Sequence, residues 1–412
     1  GRELEVETYE EAPNVVRKYS ESDDPYAFRP SEERKAPTKY PALRSSHSSD
    51  EIKISVSDPV IKEETLTKHV VYTCRGSDQH GSFEAFRRYS DFLFVRRRLI
   101  DRWPGCYVPP IPPKQFMGNL SPIFIEGRRK MLEEFLRSVA SRTYMYQSDE
   151  IQMFLRGHEN FEKEVSGFKP PNVVDISGVY ATIFSEHRKS LALDCEAKLD
   201  NYMGFFKGLV LKLNGLKEQT KGTVNCFNAF SRNYWTMCDN LQEFETNYIA
   251  QYFQSDYRQI FKSLNRESFV NPFEVLQNLL KVENQEVSAM IDALIVKKNY
   301  EGILRKLNAK LASDQKDLAK LNAGKKTISS FLSTKPKEAF ITNLSGNIEN
   351  TKKEIQSVEL ILNIMTVRLL ELEVPLFLKS RADKYEKALR SFGRVTVKEF
   401  EEIIKVCKNL DS

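Results

Sequence analysis

The sequence predicts a small α+β domain followed by a long, purely helical region. Two observations carry this. Runs that alternate polar and apolar residues, such as Glu51-Ile52-Lys53-Ile54-Ser55-Val56-Ser57, cluster before residue 90. Beyond them, apolar residues recur at helical spacing from Leu276 to Leu321, with no proline between Pro272 and Pro336. A chain of 412 residues has room for two or three cores. The expected division is a flexible leader over 1–49, an α+β domain over 50–160, a linker over 161–178 and a helical domain over 179–412.

Residues 1–49 are rich in Pro, Ser, Glu and Lys and lack an apolar period, hence the flexible leader. The run at 51–57 reads as a strand stopped by a turn at Asp58-Pro59. A second strand is expected over 68–75, a hairpin loop over 76–81 and a third strand over 82–89. Ser90 reads as a helix N-cap, with Asp91 in the first turn and Phe92, Leu93, Val95 and Leu99 facing inward. Trp103-Pro104-Gly105 ends that helix. The run Val108-Pro109-Pro110-Ile111-Pro112-Pro113-Lys114 suits neither regular helix nor central strand, so it is expected to be extended and polyproline-like. Helices over 122–142 and 148–157 complete the domain, and strands followed by helices define an α+β unit.

In the helical region, Asn271-Pro272-Phe273-Glu274 combines an N-cap, a proline at the first helical position and an acid at the third. It opens a helix expected to run from 272 to about 330, with a break at 332–337. Another helix is expected over 346–409, kinked at Pro375, where a donor is missing. One or two more occupy 179–265. There Gly204, Gly208, Gly215 and Gly222 fall on one helical face, which allows either close approach of a neighbour or a break in the helix.

Composition excludes several function classes. The net charge of +5 divides into −3 over 1–50, +3 over 51–160 and +5 over the remainder, too slight a surplus to indicate nucleic acid. Cys74, Cys106, Cys195, Cys226, Cys238 and Cys407 are scattered without CxxC pairing, as expected of reduced thiols in a cytoplasmic protein. No metal-ligand spacing, P-loop, GxSxG or HExxH pattern occurs, so neither metal, cofactor nor catalysis is expected. No apolar run is long enough to span a bilayer.

Three features in order carry a family resemblance: Arg87-Arg88-Tyr89-Ser90-Asp91-Phe92, the proline run ending in Lys114, and Arg128-Arg129-Lys130-Met131-Leu132-Glu133-Glu134-Phe135-Leu136. Together they resemble a phox-homology (PX) domain. With the helical region the chain resembles a PX-BAR sorting nexin, in which the α+β domain is followed by an elongated three-helix antiparallel coiled coil, the BAR domain. The resemblance implies that Arg88 binds the 3-phosphate of phosphatidylinositol 3-phosphate and that Tyr89 stacks under the inositol ring. It further implies that Lys114 meets the 1-phosphate and that Arg128 bonds the ring hydroxyls, with Arg129 and Lys130 as rivals. Arg87 is expected to face the other side of its strand. A guanidinium gives phosphate a two-pronged fork, and an ammonium acts as a point charge. The resemblance makes Phe116, Met117, Leu120, Ile123 and Phe124 a membrane-insertion loop. Arg96, Arg97 and Arg98 form a basic cluster on a helix. Lys297, Lys298, Arg305, Lys306, Lys310, Lys325, Lys326, Lys335 and Lys337 could line a membrane-facing side.

The expected partners are therefore anionic membrane, a second copy or another sorting nexin in a dimer, and cargo or coat proteins. The expected place is the cytosolic face of endosomes, where the protein would sense or tubulate curved membrane during protein sorting. The alternative is an endosome-addressed adaptor that assembles cargo or signalling complexes without remodelling membrane.

Overall fold

The computed structural model describes residues 52–64, 67–114, 121–157, 161, 171–249, 270–323 and 337–410. Three antiparallel strands, β1 (Lys53–Glu64), β2 (Thr67–Asp78) and β3 (Gly81–Arg88), lie in the order β1-β2-β3. Asp58-Pro59 does not stop β1. Asp58 takes a φ of 46°, the pairing slips between Ser57 and Val60, and the strand then resumes with Val60 opposite Val71. A proline cannot donate to the ladder, and one residue of left-handed backbone lets the strand bulge around it. The second hairpin is tighter than expected. Asp78 pairs with Gly81, whose φ of 98° closes a turn of just Gln79 and His80.

β3 runs straight into α1 (Tyr89–Arg102), so Ser90 lies inside the first turn and Arg88 is the capping position. The Asp91 carboxylate accepts the Arg88 backbone N–H at 2.8 Å. α2 (Pro122–Ala140) starts with Ser121 as cap and proline at its first position. Two short helices follow, α3 (Thr143–Tyr146) and α4 (Asp149–Arg156). Phe92 is the centre of this core, edge-on to Tyr72, Phe135 and Phe154 with centroids 6.5, 6.5 and 4.8 Å away.

α5 (Val173–Ile183) begins inside the expected linker, because the Asn172 side chain accepts the Asp175 N–H at 2.9 Å and starts a helix there. α6 (Cys195–Phe244) passes through all four glycines without a break. A side chain at any of those glycines would meet open space, so neither expected role of the stripe is realised among the described residues. α7 (Pro272–Asn322) opens as anticipated, with the Asn271 side chain accepting the Phe273 N–H at 3.0 Å, and packs against α6. Of the expected break over 332–337, residues 332–336 lie outside the described residues, and Lys337 already belongs to the next helix. α8 (Lys337–Arg368) starts nine residues earlier than expected. It passes through a π turn at Leu369–Glu373 into α9 (Val374–Leu410). Pro375 explains the turn: without an N–H it cannot bond back to Glu371, and the widened turn absorbs the misfit.

The two halves share one hydrophobic core. The expected helix stop after α1 is in fact the docking loop. Trp103, Cys106, Tyr107 and Val108 are buried. Trp103 stacks on Tyr180 with centroids 6.2 Å apart, and the Tyr180 hydroxyl donates to the Pro104 carbonyl at 2.7 Å. Tyr107 packs 5.4 Å from Phe377 and donates its hydroxyl to Glu286 on α7. Arg381 reaches Glu283 and Glu286 at 3.1 and 3.3 Å, so these buried acids are countered. Gly105 has a φ of 76°, and a side chain there would collide with Met365.

Candidate anionic headgroup site

The candidate site lies where β3, α1, the proline segment and α2 meet. Strand alternation sends the adjacent Arg87 and Arg88 to opposite sides. Arg87 is only 1% exposed. It donates to the carbonyls of Phe154 at 2.8 Å, Gly157 at 2.9 Å and Phe86 at 3.0 Å, and its guanidinium lies 4.9 Å from the Phe161 ring centroid. The carbonyls at the end of α4 have no partner within the helix and form the negative end of its dipole. Arg87 is thus a structural cation, on the far side from the candidate site as expected. The Arg88 side chain stays 34% exposed, with its Nε 3.7 Å from Asp91.

A polyproline-like segment makes no internal hydrogen bonds, so its carbonyls are available to neighbours. Three side chains use them. Tyr89 donates its hydroxyl to Pro112 at 2.7 Å, Arg96 donates Nε to Pro109 at 2.8 Å, and Arg128 donates to Pro113 at 3.4 Å. The proline run therefore orients the aromatic ring and one cation of the site.

Arg128 is 7% exposed and lies between two rings, 4.4 Å from the centroids of Tyr89 and Phe124. Among the described residues no carboxylate pairs with it, and its Nε has no acceptor. Burial pulls its pKa below the usual arginine range and pushes the Tyr89 phenol up. A buried cation without a counter-charge leaves positive potential around it, which suits an anion. The rival cations are otherwise occupied: Arg129 pairs with Glu126 at 2.8 Å and Glu133 at 2.6 Å, while Lys130 lies 3.8 Å from Glu126. Lys114 is exposed at the end of the proline segment.

Of the expected insertion loop, Phe116, Met117 and Leu120 lie outside the described residues. Ile123 and Phe124 belong to the first turn of α2 instead. Phe124, four residues before Arg128, walls the cation on one helical face. The sequence reading places Phe124 in the insertion loop and misses this role, although the four-residue spacing to Arg128 is a signal for it. Of the basic cluster on α1, Arg96 is not free for solvent or lipid, since it bridges to Asp292 on α7 at 3.3 Å. Lys297 is 3% exposed and pairs with Glu196 and Glu301, which removes it from any membrane-facing row. Lys298 is held by Asp200 at 2.7 Å. Lys325, Lys326 and Lys335 lie outside the described residues. Among the described residues there is no group of side chains able to hold a metal, and no helix is long and apolar enough to cross a membrane.

Comparison with known proteins matches residues 76–158 to the PX domain family. The chain is 33% identical over 119 residues to vacuolar protein sorting-associated protein vps5 of Schizosaccharomyces pombe, covering 27% of this chain and 20% of that protein. It is 30% identical over 140 residues to sorting nexin 1 of Arabidopsis thaliana, covering 31% and 35%. Among solved structures, the cryo-EM structure of the SNX-BAR Mvp1 tetramer is similar at 16% identity and a TM-score of 0.44, over 85% of this chain and 99% of that one. The matched stretches thus span well under half the length of those two relatives. Residues 76–158 are a PX domain. Over that domain the chain is similar to sorting nexins, and long packed helices follow it.

Proposed function

We propose that this protein binds phosphatidylinositol 3-phosphate through Arg88, Tyr89, Lys114 and Arg128, and that its helices act on curved endosomal membrane during protein sorting. The observation that carries the reading is the uncompensated Arg128, held between Tyr89 and Phe124, with the half-buried Arg88 next to Tyr89 in the chain. Arg128 already covers one face of Tyr89, so the inositol ring would rest on the other. Phe116, Met117 and Leu120 would anchor the domain in the bilayer interface, each buried side chain adding up to about 1.5–3 kcal/mol.

Residues 50–160 supply the address and 179–412 the membrane work. The helices leave Phe205, Leu211, Phe230 and Phe244 on α6, and Val397 and Phe400 on α9, substantially exposed. Such faces favour a symmetric or related partner, whose second lipid site would add avidity.

Flotation with vesicles that contain or lack phosphatidylinositol 3-phosphate tests the address. Arg88→Ala should weaken lipid-dependent binding at least tenfold, roughly the worth of a charge-assisted pair; unchanged binding overturns the assignment. Electron microscopy of the same vesicles tests the membrane work. Binding without tubules would favour the adaptor reading, which the exposed helix faces also suit.

A further inference from the structure

We propose that Ser190 is a phosphorylation site for a basophilic serine/threonine kinase with ATP as phosphoryl donor. Ser190 stands in Arg188-Lys189-Ser190-Leu191, in the connection 188–194 between the 3-10 turn Ser185–His187 and α6. Among the described residues it is the one serine or threonine directly preceded by two basic residues. Kinases select substrates through such charge patterns and need the acceptor in accessible, non-helical chain.

The connection meets those needs. Ser190 is exposed in neither helix nor strand, and Arg188 has φ −82° and ψ 87°, outside the helical region. Leu191 is 43% exposed and Leu193 fully so. The stretch is pinned on either side of the serine: Asn363 donates to the Lys189 carbonyl at 2.9 Å, and Asp194 pairs with Lys198 at 2.8 Å. The serine is thus presented on a short, anchored segment.

In the reaction the Ser190 Oγ forms a bond to the γ-phosphorus of ATP while the bond from that phosphorus to the bridging oxygen breaks. ADP leaves, and the hydroxyl proton passes to the kinase's catalytic carboxylate. The product carries about −1.5 to −2 charges beside Lys189. Lys189 now donates to Glu371 at 2.6 Å, tying the connection to the π turn that precedes Pro375. A phosphate one residue away competes for that ammonium, so modification loosens the tie.

The test uses the purified full chain with a basophilic kinase catalytic subunit and ATP, with the phosphate located by fragment mass spectrometry. The phosphate is expected on Ser190. It should vanish from that peptide in Ser190→Ala and form about tenfold more slowly in the double variant Arg188→Ala, Lys189→Ala. Hydrogen exchange over 369–373 should quicken on modification. An unmodified Ser190, whether or not other serines react, overturns the proposal, as does a wild-type rate in the double variant. Unchanged exchange overturns the link to Glu371. None of these readouts involves lipid, so failure here is separate from failure of the headgroup assignment.

Discussion

The guanidinium of Arg128 and the ring of Tyr89 lie 4.4 Å apart, and Phe124 covers the cation from its other side. Desolvating a charge without a carboxylate partner costs stability, whereas an apolar side chain of similar reach would fill the same slot without that penalty. Arg128→Met is therefore expected to leave the melting temperature unchanged or raise it, while phosphoinositide-dependent vesicle binding falls at least tenfold. Calorimetry and vesicle flotation on one preparation check both halves. A variant that melts early but still binds would make Arg128 a structural residue.

Arg87 should behave in the opposite way. Its replacement by methionine strands the Phe154 and Gly157 carbonyls and removes a buried cation from the end of α4. Two charge-assisted hydrogen bonds put the loss at about 3 kcal/mol. Urea unfolding would read it as a lower midpoint with unchanged slope. Variant that still folds at low temperature should retain its lipid affinity.

Gly105→Ala combines left-handed backbone with a collision against Met365. The expected destabilisation is about 2–4 kcal/mol. Adding Met365→Ala should recover part of it, because the collision would be gone while the backbone strain stays. A double-mutant cycle in denaturant measures the coupling. Strictly additive losses would mean that the docking loop has moved away from α8.

His187 is buried, and its pKa is lowered first by that burial and then by the nearby Arg368. The folded protein thus resists a proton that the unfolded chain accepts. The associated stability is fully present above the ordinary histidine pKa and is lost as pH falls through it. Melting temperatures recorded on acidification should decline, and His187→Gln should flatten that decline within the histidine range. Identical profiles for both proteins would refute the assignment.

Legibility in the sequence followed the range of the interactions involved. The strands, the capping start of α7 at Asn271 and the kink near Pro375 were readable because each depends on residues a few positions apart. The β1 bulge was misread because Asp58-Pro59 signals a departure from regular strand, and only pairing with β2 tells a bulge from a turn. The part played by Trp103 to Val108 was hidden for a related reason. A proline and a glycine end a helix locally, but that Trp103 meets Tyr180 and Tyr107 meets Glu286 depends on chain more than seventy residues away. At the candidate site, the sequence ordered the cations without showing which were already engaged. Glu126 and Glu133 neutralise Arg129, while Arg128, one position earlier on the helix, turns inward between rings.

The loop at Trp103–Val108 also limits how this protein can be taken apart. Cutting the chain after residue 160 would strip Trp103 and Tyr107 of Tyr180, Phe377 and Glu286, leaving an aromatic surface open to water. Such a fragment would be inclined to self-associate, and its apparent lipid affinity would report sticky aggregates as much as a headgroup cleft. The intact chain should melt in a single cooperative step, since neither half can release the other without exposing the core they share.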